Sequence, residues 1–180
     1  MTCIVAIEHE GKVWMGGDSA ATRDDDIVCR SNEKVFINGE FIIGYSGSFR
    51  IGQILQYAFK PPKQNLFKQS DMEYMVVDFV DALRKTLKEK GAIMEEKEGE
   101  AHDSEFIVGY QGKIYVIESN FNIGRPLHNY ASCGSGMDYA MGCLYNMPEE
   151  LHITSKIEKA LSASAEFCSS VRKPFSILSL

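Results

Sequence analysis

Short apolar stretches separated by turn-forming residues dominate the first fifty positions. Residues 2–7 (TCIVAI) are apolar and β-branched, Glu8-His9-Glu10-Gly11 is polar, and residues 12–17 return as a second apolar run, which predicts a β-hairpin. Residues 34–37 and 41–45 repeat the arrangement around Asn38-Gly39, a tight-turn dipeptide that tolerates positive φ. Between these hairpins, residues 20–29 show no regular pattern and carry Asp24-Asp25-Asp26, so an irregular solvated loop is expected there.

The period then changes from two to 3.6. Ile51, Ile54, Leu55 and Ala58 share one face of a helix predicted over residues 49–59 and stopped by Pro61-Pro62. Met75, Val76, Phe79, Ala82, Leu83, Thr86 and Leu87 do the same for residues 72–90, which end at Gly91. Residues 95–103 are charged and aperiodic and predict an exposed loop. Strands are predicted at 105–109, 113–118 and 130–133, helices at 137–145 and 154–170, and a last strand at 175–180. Strands and helices therefore come in blocks. That order predicts an α+β fold of antiparallel sheets covered by helices, with two sheets face to face between two helix layers as the arrangement that accommodates every element. No internal repeat or linker divides the chain, so one domain over residues 1–180 is expected.

Composition narrows the function classes. A formal net charge of −6 in 180 residues opposes a nucleic-acid surface or docking on anionic lipid. The apolar runs are too short to cross a bilayer, and the first residues have neither the basic nor the apolar region of a secretory signal, so a cytoplasmic protein is expected. The five cysteines, at 3, 29, 133, 143 and 168, include no C-x-x-C pair and fit reduced thiols. His9, His102, His128 and His152 form no zinc-ligand pattern with them.

The candidate chemistry begins at Thr2. If Met1 is removed, Thr2 carries its hydroxyl and a free α-amine together, a nucleophile and its own base. An α-amine titrates at about 7.7–8.0, and a nearby cation lowers that value. Met-Thr alone is a weak signal. Three further stretches accompany it: Gly16-Gly17-Asp18-Ser19-Ala20-Ala21-Thr22 after the second strand, Lys34-Val35-Phe36 opening the third, and Gly44-Tyr45-Ser46-Gly47 ending the fourth. A fourth, Ala131-Ser132-Cys133-Gly134-Ser135-Gly136, leads from a strand into a helix.

In this order and spacing the motifs resemble the proteasome β-type family, and within it the bacterial HslV-like branch, over nearly the whole chain. The helix carrying Ile157-Glu158-Lys159-Ala160-Leu161 and Glu166-Phe167-Cys168 is similar to the last helix of that branch. The resemblance implies the four-layer αββα sandwich of the N-terminal nucleophile hydrolases and a threonine-type endopeptidase. It implies that Thr2 is the nucleophile, that Lys34 favours the neutral amine, and that Asp18 compensates Lys34. Ser135 would shuttle protons near the amine, and the Gly47 N–H would serve the oxyanion. Thr22 and Gly47 would bind an extended peptide by backbone bonds. Tyr45 would line the primary specificity pocket, although a plain core aromatic fits that position nearly as well. The backbone carbonyls of Ala165, Cys168 and Val171 would hold a monovalent cation such as Na+, as a structural ion; the chemistry itself would need no cofactor. Partners implied are further copies of the chain in homo-oligomeric rings, polypeptide substrates and a separate ATP-dependent unfoldase, because the sequence has no G-x-x-x-x-G-K-[ST] loop of its own.

The chain also departs from the family. Cys168 and Val171 stand where the eukaryotic and archaeal branch has Asp and Ser, which places the sequence on the bacterial side. Cys3 stands where threonine is usual; strand alternation turns it away from the Thr2 face and into the core. Two other functions stay open: an amidase of the same fold acting on small substrates, and an inactive ring or scaffold subunit that retains Met1, whose amide would remove the general base.

Overall fold

The computed structural model describes residues 2–23, 26–96 and 99–180 and, of Thr22, Arg23 and Glu96, the backbone only. Met1, and with it the processing step, lies outside the described residues, as do Asp24-Asp25 of the acidic triplet and Lys97-Glu98.

One antiparallel sheet is built from β1 (Ile4–His9), β2 (Lys12–Asp18), β12 (Tyr130–Cys133) and β13 (Phe175–Ser179), in the order β12-β1-β2-β13. A second contains β5 (Val35–Asn38), β6 (Phe41–Gly47), β9 (Ser104–Tyr110), β10 (Lys113–Ile117) and β11 (Ile123–Gly124), in the order β11-β10-β9-β6-β5. Alternation sorts the side chains of β1 into two cores. Ile4 and Ala6 meet Val13, Met15, Ile42, Ile107 and Ile114 between the sheets. Cys3, Val5 and Ile7 face α4 (Met137–Tyr145) and α5 (Ile153–Phe167), where Ile157, Ala160 and Leu161 are fully buried. On the outer face of the second sheet, α1 (Phe49–Tyr57) and α3 (Val80–Glu89) cover Phe36, Ile43, Tyr45 and Phe106. The result is the expected four layers: helices, sheet, sheet, helices.

Local chemistry fixes most boundaries. Glu10 and Gly11 both adopt positive φ, so β1 and β2 are joined by a tighter turn than the sequence suggests and β1 runs on to His9. The Ser48 side chain accepts from the Ile51 N–H and caps α1. The predicted 72–90 helix is composite: α2 (Asp71–Tyr74), a π-helical turn at Met75–Phe79, then α3. The extra residue in that turn lets Tyr74, Met75 and Phe79 all face the core.

Two expectations are corrected. Residues 20–29 are not irregular: β3 (Ala20–Arg23) pairs with β4 (Asp26–Cys29), whose side chains, Ile27 and Val28 included, are all exposed, so no buried face marks the strand period. Residues 95–103 are not simply a loop either. β7 (Met94–Glu96) pairs with β8 (Gly99–Ala101), and the next residue, His102, is buried against Phe106 and Phe121. A third difference is at the C-terminal end of α5, which stops at Phe167 instead of 170; Cys168 is already extended. Among the described residues no helix is long and apolar enough to cross a membrane.

Candidate active site

Thr2 precedes β1 at one end of the first sheet and is 2% exposed. Its N–H donates to Ser135 Oγ at 3.2 Å, and Ser135 Oγ lies 3.4 Å from the Thr2 carbonyl oxygen. Ser135 is held there by the turn from β12 into α4. Gly134, with φ +89°, passes so close that a Cβ would collide with the Thr2 carbonyl, so this turn requires glycine for both conformation and space. Ser170 extends the network, with its Oγ 3.1 Å from Ser135 Oγ.

Asp18, at the end of β2, is the electrostatic centre. Its Oδ1 accepts from Lys34 Nζ at 2.9 Å and from the Cys3 N–H at 3.0 Å, and its Oδ2 accepts from the Ala20 N–H at 2.9 Å and the Arg172 N–H at 3.3 Å. Lys34 and Asp18 are 1% and 2% exposed, so this is a fully desolvated ion pair whose carboxylate is satisfied on both oxygens. Burial holds the Lys34 pKa below its ordinary value; the charge and hydrogen bond of Asp18 offset part of that fall.

Gly47 closes β6 with φ +104°, a conformation natural to glycine, and a Cβ there would strike the Asp103 carbonyl and Ser104. Tyr45 is 4% exposed and packs on Phe36, with the edge of Phe49 against it. Burial pushes its hydroxyl up to about 12. The half-exposed Phe49, with the Arg30 guanidinium 4.5 Å over its ring, lies outside Tyr45; neither residue stands out in the sequence, because Arg30 lies in an aperiodic stretch and Phe49 begins a helix. Thr22 pairs with Ile27 in the β3–β4 hairpin. Cys3 sits in the helix-side core, 3.3 Å from Ser164 Oγ, and burial raises its thiol pKa, which keeps it protonated. Ala165, Cys168 and Val171 direct their carbonyls to one point, and Arg172 Nη1 is at that point.

The structure thus brings Thr2, Asp18, Lys34 and Ser135 to one end of the sandwich from four separate segments, with the turn at residues 168–172 against them. A cavity of about 710 Å³ is at the other end, lined by His9, Trp14, His128, Tyr130, His152 and Lys156. Among the described residues, no group of three His, Cys, Asp or Glu could hold a metal ion.

No family model matches the chain. It is 23% identical over 186 residues to the ATP-dependent protease subunit HslV of Caldicellulosiruptor saccharolyticus, covering 99% of this chain and 98% of that one. The chain is HslV-like. Its fold agrees: the Thiobacillus denitrificans BPH in complex with epoxomicin superposes with a TM-score of 0.82 at 17% identity, covering 99% and 98% of the two chains. The eukaryotic HslV of Trypanosoma brucei gives 0.69 at 16% identity, covering 99% of each. The four-layer sandwich of this HslV-like chain is accordingly that of the N-terminal nucleophile hydrolases.

Proposed function

We propose that the protein is a threonine endopeptidase subunit that uses Thr2 as its nucleophile once Met1 has been removed. The observation that carries this reading is the buried Asp18–Lys34 pair, 2.9 Å apart, anchored through the Cys3 N–H to the residue next to Thr2. A buried pair of this kind adds little net stability over an apolar core, and here it presents a fixed cation at the end of the sheet where Thr2 lies.

In the proposed reaction the Thr2 Oγ attacks the scissile carbonyl while the Thr2 amine takes the hydroxyl proton. The fixed charge of Lys34 favours the neutral amine, and Ser135 passes protons beside it. The Gly47 N–H donates to the oxyanion, a contribution of ~3–4 kcal/mol in sites of this kind. The leaving amine takes the proton, and water then hydrolyses the acyl-threonine ester. An extended substrate adds along the backbone of Thr22 and Gly47. The relatives' description as subunits of an ATP-dependent protease favours homo-oligomeric rings fed with polypeptide by a separate ATP-driven unfoldase in the cytoplasm.

The test combines intact mass with hydrolysis of peptidyl fluorogenic substrates. Active material is expected to lack Met1, and Thr2→Ala is expected to abolish cleavage while the native mass of the assembly is kept. Epoxomicin, bound by the Thiobacillus relative, is expected to bind the processed protein and not Thr2→Ala. Cleavage at the wild-type rate in Thr2→Ala, or full activity with Met1 retained, would overturn the assignment.

A further inference from the structure

Three carbonyl oxygens at the end of α5 converge on one nitrogen. Arg172 Nη1 donates to Val171 O at 2.7 Å, to Cys168 O at 3.2 Å and to Ala165 O at 3.3 Å. The end of a helix concentrates about half a negative charge in its last carbonyls, and α5 has no basic residue in its own last turn. The chain supplies one from beyond the helix: it becomes extended at Cys168, turns, and folds the Arg172 side chain back over the helix end.

These are the oxygens that the family resemblance assigns to a monovalent cation, and they do not fit one while Arg172 is in place. The positively charged guanidinium takes up the same lone pairs. An ion held by the same oxygens would stand within about 4 Å of that charge, where like-charge repulsion opposes its binding.

The same residue is tied to the active site through its backbone. Its N–H donates to Asp18 Oδ2 at 3.3 Å, and its carbonyl accepts from the Ser19 N–H at 3.1 Å. Between Cys168 and Arg172, Ser170 holds Ser135, which in turn receives the Thr2 N–H. We propose that the Arg172 guanidinium is a built-in cation. It replaces a bound monovalent ion at the end of α5 and, as a positioning residue, fixes the turn that sets Ser170, Ser135 and Asp18 around Thr2. The replacement stands on geometry alone; the positioning role rests on the reading of Thr2 as nucleophile.

The experiment separates the two. Thermal unfolding of the wild-type assembly in NaCl, KCl and choline chloride at equal ionic strength is expected to give one Tm within about 1 °C, since no ion-specific site is left. Arg172→Ala, which opens the carbonyl cluster, is expected to lose several degrees in choline chloride. It should regain part of that loss in NaCl or KCl, or with millimolar methylguanidinium. Arg172→Lys, which keeps a charge with three donors, should stay closer to wild type in choline chloride than the neutral Arg172→Met. In the cleavage assay Arg172→Met is expected to lose about tenfold in kcat with KM little changed, restored by the same cations. A wild-type Tm raised selectively by Na+ or K+ over choline would sink the replacement, as would an Arg172→Ala variant as stable as wild type in choline. Should Arg172→Ala fail to fold, the wild-type salt series and the Lys–Met pair decide. Cation-rescued stability without cation-rescued kcat in a protein that Thr2→Ala inactivates would overturn the positioning role alone.

Discussion

Two of the carboxylates that bind cations in this molecule, Asp18 and Glu100, do so in opposite surroundings. Asp18 meets Lys34 with neither side chain more than 1% exposed, and backbone N–H groups take its remaining lone pairs. Glu100, on β8, meets Lys88 at 2.6 Å and Arg84 from the neighbouring helix, with both cations more than half exposed. At the surface, water and salt screen the attraction and the long side chains stay free to leave, so such pairs contribute little. In the interior the cost of losing one partner is that of stranding the other. Equal chemistry thus yields a replaceable surface contact in one place and an obligatory unit in the other.

The largest effect that would break this comparison is expected at Lys34. Lys34→Ala leaves the Asp18 carboxylate buried without its cation, at a cost of ~3–5 kcal/mol by chemical denaturation. Under the proposed mechanism it also lowers cleavage at least about a hundredfold. An exposed-type response, with stability and activity near wild type, would show that the pair is not structural.

A smaller effect concerns pH, and the two regions show it in different windows. The pKa of Lys34 is depressed by burial, so the folded protein sheds this proton before the unfolded chain does. From this group alone, stability rises with pH between its folded value and the ordinary 10.5. The cation that serves Thr2 is lost over the same window, so the alkaline limb of the cleavage profile is expected below pH 10.5. Glu100 gives a slope of the same sign in the acid range. Hydrogen bonds from Lys88 and Arg84 lower its pKa, so its contribution is present above 4.5 and disappears as pH falls through the folded value. The smallest effect sharpens the contrast: Glu100→Gln is expected to shift Tm by no more than about 2 °C, and less in high salt.

Much of this arrangement was legible from local patterns. The Asn38-Gly39 turn, the β1–β2 hairpin and the helix at 137–145 follow from short-range preferences, and the alternation in β1 correctly sends Cys3 to the helix side. The β3–β4 hairpin was not legible, because Asp26–Cys29 buries nothing and a strand without a buried face shows no period. α5 ends three residues before its sequence pattern does because its stop is not a local signal: the carbonyls that would continue the helix are taken by Arg172. The Asp18–Lys34 pair was expected from the family resemblance, whereas the part Arg172 plays depends on where a loop and a helix end meet in space.

The carboxylate of Asp18 has a consequence for the order in which the protein can be made. Its four donors come from Cys3, Ala20, Lys34 and Arg172, and the strand that follows Arg172 pairs Phe175 with Asp18 itself. A chain synthesised only as far as Val171 has Thr2, Asp18 and Lys34 but neither Arg172 nor β13 to complete their setting. Under the proposed reading, the setting of Thr2 is therefore completed only after the chain has been made through β13, so the order of synthesis itself delays the assembly of the site.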